Sequence, residues 1–411
     1  MMYSFGIFLY ALVVRLLALL GHKKARLMVR GHRAAWRLLQ TQIEPGQRYV
    51  WFHAASLGEF EQGRPLMERL RREQPDRKIL LTFFSPSGYE VRKDYDGADL
   101  VCYLPFDTPL NARRFIRLAQ PEMAVLIKYE FWRNYIHRLH RREIPVYSVS
   151  SIFRPEQVFF RWYGRGYARC LRRITHFFVQ NEESIALLQQ VGVKDKVSVV
   201  GDTRMDRVVQ IRQAARPLPL VEKFARGHRV IVAGSTWPPD EALLFAFLER
   251  HEDWRLVIAP HVVSEAHLSE IEAALPGRHL RLSEAESQDL SRYRTLIVDG
   301  YGMLSSIYRY ATVAYVGGGF GVGIHNVPEA AVYGVPVVIG PNNQRFREAR
   351  ELIACGGCVE VHTAEDFEHT LQHWEEQPET LAKAGEAAGH YILRNAGAAD
   401  KVYEHIFPPQ V

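Results

Sequence analysis

Cysteine is scarce in this chain: Cys102, Cys170, Cys355 and Cys358 are the only four among 411 residues. So few exclude a disulfide-dense secreted scaffold and suit a reducing compartment. Cys355-Gly-Gly-Cys358 is a lone C-x-x-C without a second pair or histidines at ligand spacing, so small residues around a helix end are expected there rather than zinc. No Asp/His metal constellation is visible, and no catalytic metal or other cofactor is expected. A large excess of charge of one sign is also lacking. The formal net charge of +6 does not by itself mean nucleic acid, since anionic lipid or a phosphorylated substrate explains it equally well. Repeats of solenoid period and low-complexity segments are missing. No positive residue precedes the apolar N-terminal run and no A-x-A site follows it, which disfavours a cleaved signal peptide.

What is present begins with that run. "MMYSFGIFLYALVVRLLALLG" is apolar over residues 1–21 except for Arg15, long enough to reach across a hydrocarbon core. Lys23, Lys24, Arg26, Arg30, Arg33 and Arg37 follow, and the positive-inside rule places that side in the cytoplasm. The segment reads as a retained anchor that spans the bilayer or lies in its interface, with a buried core helix as the alternative. Beyond it, apolar β-rich runs at 49–54, 79–84, 123–128, 145–150, 176–180 and 197–201 alternate with helical patterns. A polar, proline-containing stretch at 208–228 reads as a linker. The pattern then resumes at 230–234, 254–260, 294–299, 312–319 and 335–340. The reading is α/β, with an N-terminal Rossmann-like domain at 22–207 and a second at 229–411, and ligands in the cleft between the two carboxyl edges.

Polar clusters follow the strands. In "HAASLGE", Ser56 and Glu59 make a capping box, a sufficient structural reason for Glu59, yet the place after a strand is also where such folds put chemistry. "FFSPSGYE" repeats the design with Ser85 and Ser87. "KYEFWRN" sets Glu130 beside Trp132, and "GDTRMD" carries Arg204. Each is explicable alone as a cap or surface charge, but together they converge on one sheet edge. In the second domain, "VGGGFGVGIHNVPE" runs from a strand through glycines, Gly318 and Gly319 among them, to His325, Asn326 and Glu329. Its spacing fits neither a P-loop nor G-x-G-x-x-G, and it favours a nucleotide-sugar site over a mere turn. Ser235 and Thr236 of "AGSTWPPDE" cap a helix or hold a phosphate. His261 of "APHVVSE" follows a strand end and is either structural or part of the site. Arginines crowd 133–142 and 161–173, as a solvated basic face or as docking for anionic membrane or a phosphorylated lipid.

"HAASLGE", "SPSGYE", "YLPFD" (103–107), Glu130-Phe131-Trp132, "VGG" and "HNVPE" (325–329) occur in an order that resembles the 3-deoxy-D-manno-octulosonic acid (Kdo) transferases of lipopolysaccharide synthesis. The resemblance covers nearly the whole chain. It implies an inverting glycosyltransferase of the two-Rossmann GT-B type at the cytoplasmic face of the inner membrane. It would move Kdo from CMP-Kdo to a lipid A precursor, a tetra-acylated disaccharide bisphosphate. By motif position Glu59 would be the general base and Glu130 would stabilise the transition state. Arg204 stands where the family usually has lysine. CMP would be held by Pro260 and His261, by Gly302, Met303 and Leu304 of "DGYGML", and by Asn326, Val327, Pro328 and Glu329. The family often has Pro-Arg-His-Pro where this chain has Pro260-His261-Val262, and its Gly-Gly-His run is here Gly323-Ile324-His325. A helix start favours an ionised carboxylate, so Glu59 is expected to stay charged across neutral pH. Alternatives are another lipid-linked GT-B glycosyltransferase, a sugar-nucleotide epimerase, or a non-catalytic membrane-docked nucleotide-binding module.

Overall fold

Every apolar β-rich run named above becomes a parallel strand in the computed structural model, which describes residues 2–408. The chain divides into two units, residues 1–207 with 396–411, and residues 208–395. In the first, the strands are β1 (Tyr49–Ala54), β2 (Lys78–Phe83), β3 (Leu100–Tyr103), β4 (Pro121–Ile127), β5 (Val146–Ser151), β6 (His176–Val179) and β7 (Val197–Val199). They pair in the order β3-β2-β1-β4-β5-β6-β7. Along β1, Val50, Phe52 and Ala54 enter one core cluster while Tyr49 and Trp51 enter another. The sheet is thus covered on both faces, which is why β1 is apolar at nearly every position.

The second unit repeats the plan with β8 (Arg229–Thr236), β9 (Trp254–Pro260), β10 (His279–Arg281), β11 (Thr295–Ile297), β12 (Val313–Val316), β13 (Val337–Ile339) and β14 (Cys358–Glu360). Their order is β10-β11-β9-β8-β12-β13-β14. In each sheet the first strand in sequence has neighbours on both sides, so the chain reverses its winding there. That reversal opens a crevice at the carboxyl ends of the strands. The fold class is the expected one: two Rossmann-like α/β units and an apolar N-terminal helix.

The stretch 208–228, read as a linker, begins at the boundary between the units and is mostly helical, occupied by helices Thr203–Ala214 and Pro219–Ala225. Pro219 suits a first helical turn, and Val221 and Phe224 are buried three residues apart. The second unit ends at residue 395, not 411. The last helix, Ala398–Ile406, puts Ala398, Val402, Tyr403 and Ile406 into the core cluster of Val50, Leu66 and Ile79 in the first unit. Residues 409–411 lie outside the described residues. Finally, strands β3, β10 and β14 were not anticipated.

The N-terminal run forms helix α1 (Met2–Leu19), followed by α2 (Lys23–Thr41). Helix α1 has mean hydropathy 1.9. Ala11 and Val14 turn inward against Ala25, Met28 and Phe106, while Phe5, Phe8, Leu9, Leu12 and Leu16 are exposed.

Candidate active site

In the first unit the carboxyl ends of β1 and β4, adjacent strands, carry the two acidic candidates. The chain leaves β1 at Ala54 and enters helix α3 (Leu57–Glu73) after Ser56. Glu59 lies in the first turn of α3 and reaches back, its Oε2 accepting the N–H of Ala55 at 2.5 Å and of Ser56 at 3.2 Å. The reach-back half of a capping box is therefore present. The expectation that this keeps Glu59 charged across neutral pH is overturned. Burial, and then the nearby Glu130 charge, push its carboxyl from 4.5 up to about 7, although the Ala55 N–H and the charges of His53 and Lys128 pull the other way. Desolvation and a like charge outweigh a helix-start contribution of roughly 0.3–1 kcal/mol.

After β4 the backbone turns sharply at Lys128, whose φ is +59°. The turn is held by the Lys128 N–H on the Val149 carbonyl and by the Ser151 hydroxyl on the Lys128 carbonyl, at 2.8 and 2.7 Å. Glu130 follows. Its Oε2 accepts the indole N–H of Trp132 at 2.7 Å and lies 3.2 Å from Nε2 of His53. His53 is the fifth residue of β1 and has no exposed surface. Sequence reasoning passed over it because it sits inside a strand, although it heads the motif that contains Glu59.

Arg204 is the second residue of helix Thr203–Ala214, after β7. Its side chain is paired with Asp202, with Nε and a terminal nitrogen 2.9 and 2.8 Å from Oδ2. Gln62 donates to Asp202 from α3 at 2.7 Å. Burial opposes ionisation of Asp202, but the Arg204 charge and these hydrogen bonds hold it below the usual carboxylate range. Asp202 thus holds the Arg204 guanidinium in place. Burial raises the hydroxyl of nearby Tyr129, with the charges of Asp202 and Glu59 acting in the same direction and those of Arg154 and Arg204 against it. Ser85 caps helix Pro86–Arg92 by accepting the Ser87 N–H at 3.3 Å, and its own N–H donates to the Ala55 carbonyl at 2.7 Å. These two serines brace the Glu59 loop.

The second unit assembles a separate cluster at its own carboxyl edge. Gly318, at φ +92°, donates its N–H to Oδ2 of buried Asp240 at 2.9 Å. Asp240 also accepts the Trp237 N–H at 2.9 Å and the Tyr315 hydroxyl at 2.8 Å. It therefore ties the glycine loop after β12 to the helix after β8. At Gly319 a Cβ would stand 2.6 Å from the Cα of Gly340, so only glycine fits. Trp237, His261 and His325 form a stack, with His261 4.8 Å from the Trp237 ring and 4.4 Å from His325. The Trp237 indole N–H donates to Nε2 of His325 at 3.1 Å, and burial followed by the His261 charge holds the His325 imidazole low. His261 thus has a place in the stack, next to Pro260 at the end of β9.

Neither Ser235 nor Thr236 caps the following helix; Asp240 serves the Trp237 N–H instead. Thr236 is fully buried and donates its hydroxyl to Glu241 at 3.0 Å. Ser235 is half-buried and takes a left-handed φ of +55°. Gly302, at φ +87°, and Met303 turn into the short helix Leu304–Ile307 after β11. Asn326 precedes helix Val327–Ala331 and donates its amide to Oε1 of Glu329 at 2.5 Å. Val327 and Pro328 are buried, so they present backbone rather than side chain. Trp237 and Asp240 were missed by sequence reasoning, although Asp240 stands at the spacing of a helix-start acid.

Residues 30–207 match the family model described as 3-deoxy-D-manno-octulosonic-acid transferase (kdotransferase). The 3-deoxy-D-manno-octulosonic acid transferase of Haemophilus influenzae is 24% identical over 378 residues, 89% of this chain and 88% of that one. The enzyme of the same name from Aquifex aeolicus is 27% identical over 312 residues, 74% and 79% of the two chains. Among solved structures, the putative UDP-N-acetylglucosamine 2-epimerase of Listeria monocytogenes shares the fold, with a TM-score of 0.58 at 15% identity over 89% of this chain and 98% of that one. The first unit of this chain carries the domain of the 3-deoxy-D-manno-octulosonic acid transferase family, a family of glycosyltransferases.

Proposed function

We propose that this protein transfers Kdo from CMP-Kdo to a phosphorylated lipid A precursor, with inversion at the anomeric carbon. The observation that carries the chemistry is Glu59, whose carboxyl sits at about 7 beside a second carboxylate. A base accepts a proton most effectively when its affinity for it matches the working pH. In this reading the acceptor hydroxyl passes its proton to Glu59 as its oxygen bonds to the anomeric carbon. The bond from that carbon to the CMP phosphate oxygen breaks, and CMP leaves with the electron pair. Glu130 faces the positive charge that develops on the sugar, and Arg204, oriented by Asp202, balances anionic groups.

The donor nucleotide is assigned to the second unit. The Trp237-His261-His325 stack offers aromatic surface for the base. Gly302 to Leu304 and Asn326 to Glu329 supply backbone and polar groups for the ribose and phosphate. The reaction as read needs no metal, which turnover in EDTA tests. The shared name of the curated relatives supports Kdo as the sugar moved. We place the protein at the cytoplasmic face of the inner membrane, in contact with anionic lipid. The support is the exposed apolar face of α1 next to the exposed Lys23, Lys24, Arg26, Arg30, Arg33 and Arg37.

The deciding experiment incubates the full chain with CMP-Kdo and the lipid acceptor and analyses the lipid product. A Kdo-modified lipid together with released CMP supports the reading. An epimerised sugar nucleotide, or nucleotide binding without product, overturns it.

A further inference from the structure

The ring nitrogens of His53 face opposite requirements. Nδ1 lies 3.0 Å from the Thr82 carbonyl oxygen and 2.8 Å from the Thr82 hydroxyl oxygen. A carbonyl only accepts, so Nδ1 carries a proton. The Thr82 hydroxyl agrees with this. It accepts the Trp51 indole N–H at 2.8 Å and gives its own proton to the Phe52 carbonyl at 3.4 Å. Its remaining lone pair is left for Nδ1–H. The tautomer is thereby fixed by two neighbouring strands.

Nε2 lies 3.2 Å from Oε2 of Glu130. Two lone pairs at that distance repel unless they share a proton or one donor bridges them. The Trp132 indole N–H, 2.7 Å from Glu130 Oε2 and 3.1 Å from His53 Nε2, leans on both acceptors but is a single donor, and its shorter contact goes to the carboxylate. We propose that His53 is a positioning residue that shares one proton with Glu130 through Nε2, fixing the Glu130 carboxyl and balancing its charge beside Glu59. This inference rests on the transferase reading for its kinetic consequence, but not for the proton itself.

The charged groups that bear on Glu59 are Glu130, His53 and, from the turn after β4, Lys128, and the Glu130 charge also bears on the Tyr167 hydroxyl. A cation at His53 favours ionised Glu59, whereas a bare anion at Glu130 opposes it. Without the imidazole, the Glu130 charge beside Glu59 is no longer balanced. The base would then hold its proton to higher pH.

Two measurements test this on the full chain. The first is nitrogen NMR of the histidines in the wild-type protein, with His53 assigned by its loss in His53→Gln. The expected signature is Nδ1 protonated throughout and Nε2 intermediate between free and protonated. A freely unprotonated Nε2, or a proton absent from Nδ1, overturns the proposal whatever the enzyme does. The second is the pH profile of kcat and KM in His53→Phe and His53→Gln, with melting temperature recorded alongside. Expected are a fall in kcat on the order of 100-fold, KM for CMP-Kdo within about twofold of wild type, and an acid limb displaced to higher pH. A lower melting temperature with the profile unmoved marks a purely structural histidine and also overturns the proposal. If the wild-type chain makes no Kdo product, the transferase reading fails while the NMR arm still decides the shared proton.

Discussion

The hydroxyl of Tyr3, near the start of α1, donates to Oδ2 of buried Asp107 in the first unit at 2.7 Å. The same carboxylate accepts the backbone N–H groups of Asn134 and Tyr135 at 2.9 and 3.0 Å, and Tyr3 stacks on Tyr167 with centroids 5.4 Å apart. At its other end, α1 is tied to α2 by Arg26, whose Nε donates to the Ala18 carbonyl at 3.0 Å. A helix pinned at both ends to the body of the protein lies along that body. On the proposed membrane location, its outer face is expected to meet the lipid in the plane of the interface rather than to cross it.

Single cysteines at Leu9 and Leu16, both on the exposed face, are therefore expected to report similar shallow depths when labelled protein binds vesicles containing anionic lipid. Depth-dependent quenching measures this, and a steady gradient from one leaflet to the other would refute in-plane docking. Leu12→Asp should weaken vesicle binding about tenfold, with melting temperature little changed, because it places a charge in the contact face without touching the core.

Glu59 should cost the folded state stability as pH rises. Its folded value of about 7 lies above the ordinary 4.5, so between these two pH values the folded chain holds the proton more tightly than the unfolded one. Stability falls as pH rises through that window, by up to about 3 kcal/mol when fully ionised. Glu59→Gln removes the penalty but also the carboxylate proposed to take the acceptor's proton. Its stability relative to wild type should grow from pH 4.5 to 7, while turnover drops on the order of 100-fold or more. Denaturant midpoints and product formation measured on one sample separate these effects. Near-normal turnover in the folded variant would remove Glu59 from the chemistry.

Glu130→Gln acts on the same group from outside. Glu130 is the largest charged influence that raises Glu59, so its neutralisation should let Glu59 ionise at lower pH. Whatever residual rate remains should show an acid limb displaced downwards, in the direction opposite to that expected for His53→Phe. Carboxyl-carbon NMR of Glu59 gives the same test without turnover.

His32 on α2 offers a pH effect of the other sign. It is buried, neither ring nitrogen has a hydrogen-bond partner, and its ring lies 4.3 Å from that of Phe106. Burial, and then the charge of Arg15, hold its imidazole from 6.5 down to about 4. The unfolded chain therefore takes up the proton first, and stability is lost as pH falls from 6.5 to 4. The gap corresponds to roughly 3 kcal/mol. His32→Leu should flatten that slope and raise the melting temperature below pH 6. Unfolding at pH 5 and pH 7, with and without the substitution, checks it.

The sequence was most legible where local and tertiary demands coincide. β1, β2 and β9 are buried on both faces and read as continuous apolar runs. β10 and β14 are three residues each, as short as β11 and β13 but with a charged residue at the end of each, and β14 begins at the last cysteine of Cys-Gly-Gly-Cys, where glycines suggest only a turn. The return of helix 398–406 to the first unit is a long-range event that no local pattern signals. Within the site, Glu59, Glu130 and Arg204 were visible because strand ends advertise polar residues. His53 was hidden by its strand, and Asp202 and Asp240 by their resemblance to ordinary helix-start acids. The protonation of Glu59 depends on a neighbour 71 positions away in sequence, which only the fold supplies.

Asn326 and Glu329 allow the donor assignment to be tested as a pair. The Asn326 amide donates to Oε1 of Glu329 at 2.5 Å, and Asn326 is exposed at the start of a helix only five residues long. Loss of either side chain should therefore cost the folded state about 1 kcal/mol or less. If the two hold CMP, either alanine variant should bind CMP more weakly by roughly 1–3 kcal/mol, or about 5- to 150-fold. The double variant separates two arrangements. If Glu329 acts only by orienting the Asn326 amide, Asn326→Ala with Glu329→Ala binds no worse than Asn326→Ala alone. If both touch the nucleotide, the losses add, less their mutual interaction. Calorimetric titration of CMP into the four proteins gives the cycle. Unchanged affinity in both single variants, with melting temperatures preserved, would place the nucleotide elsewhere on the carboxyl edge of the second sheet.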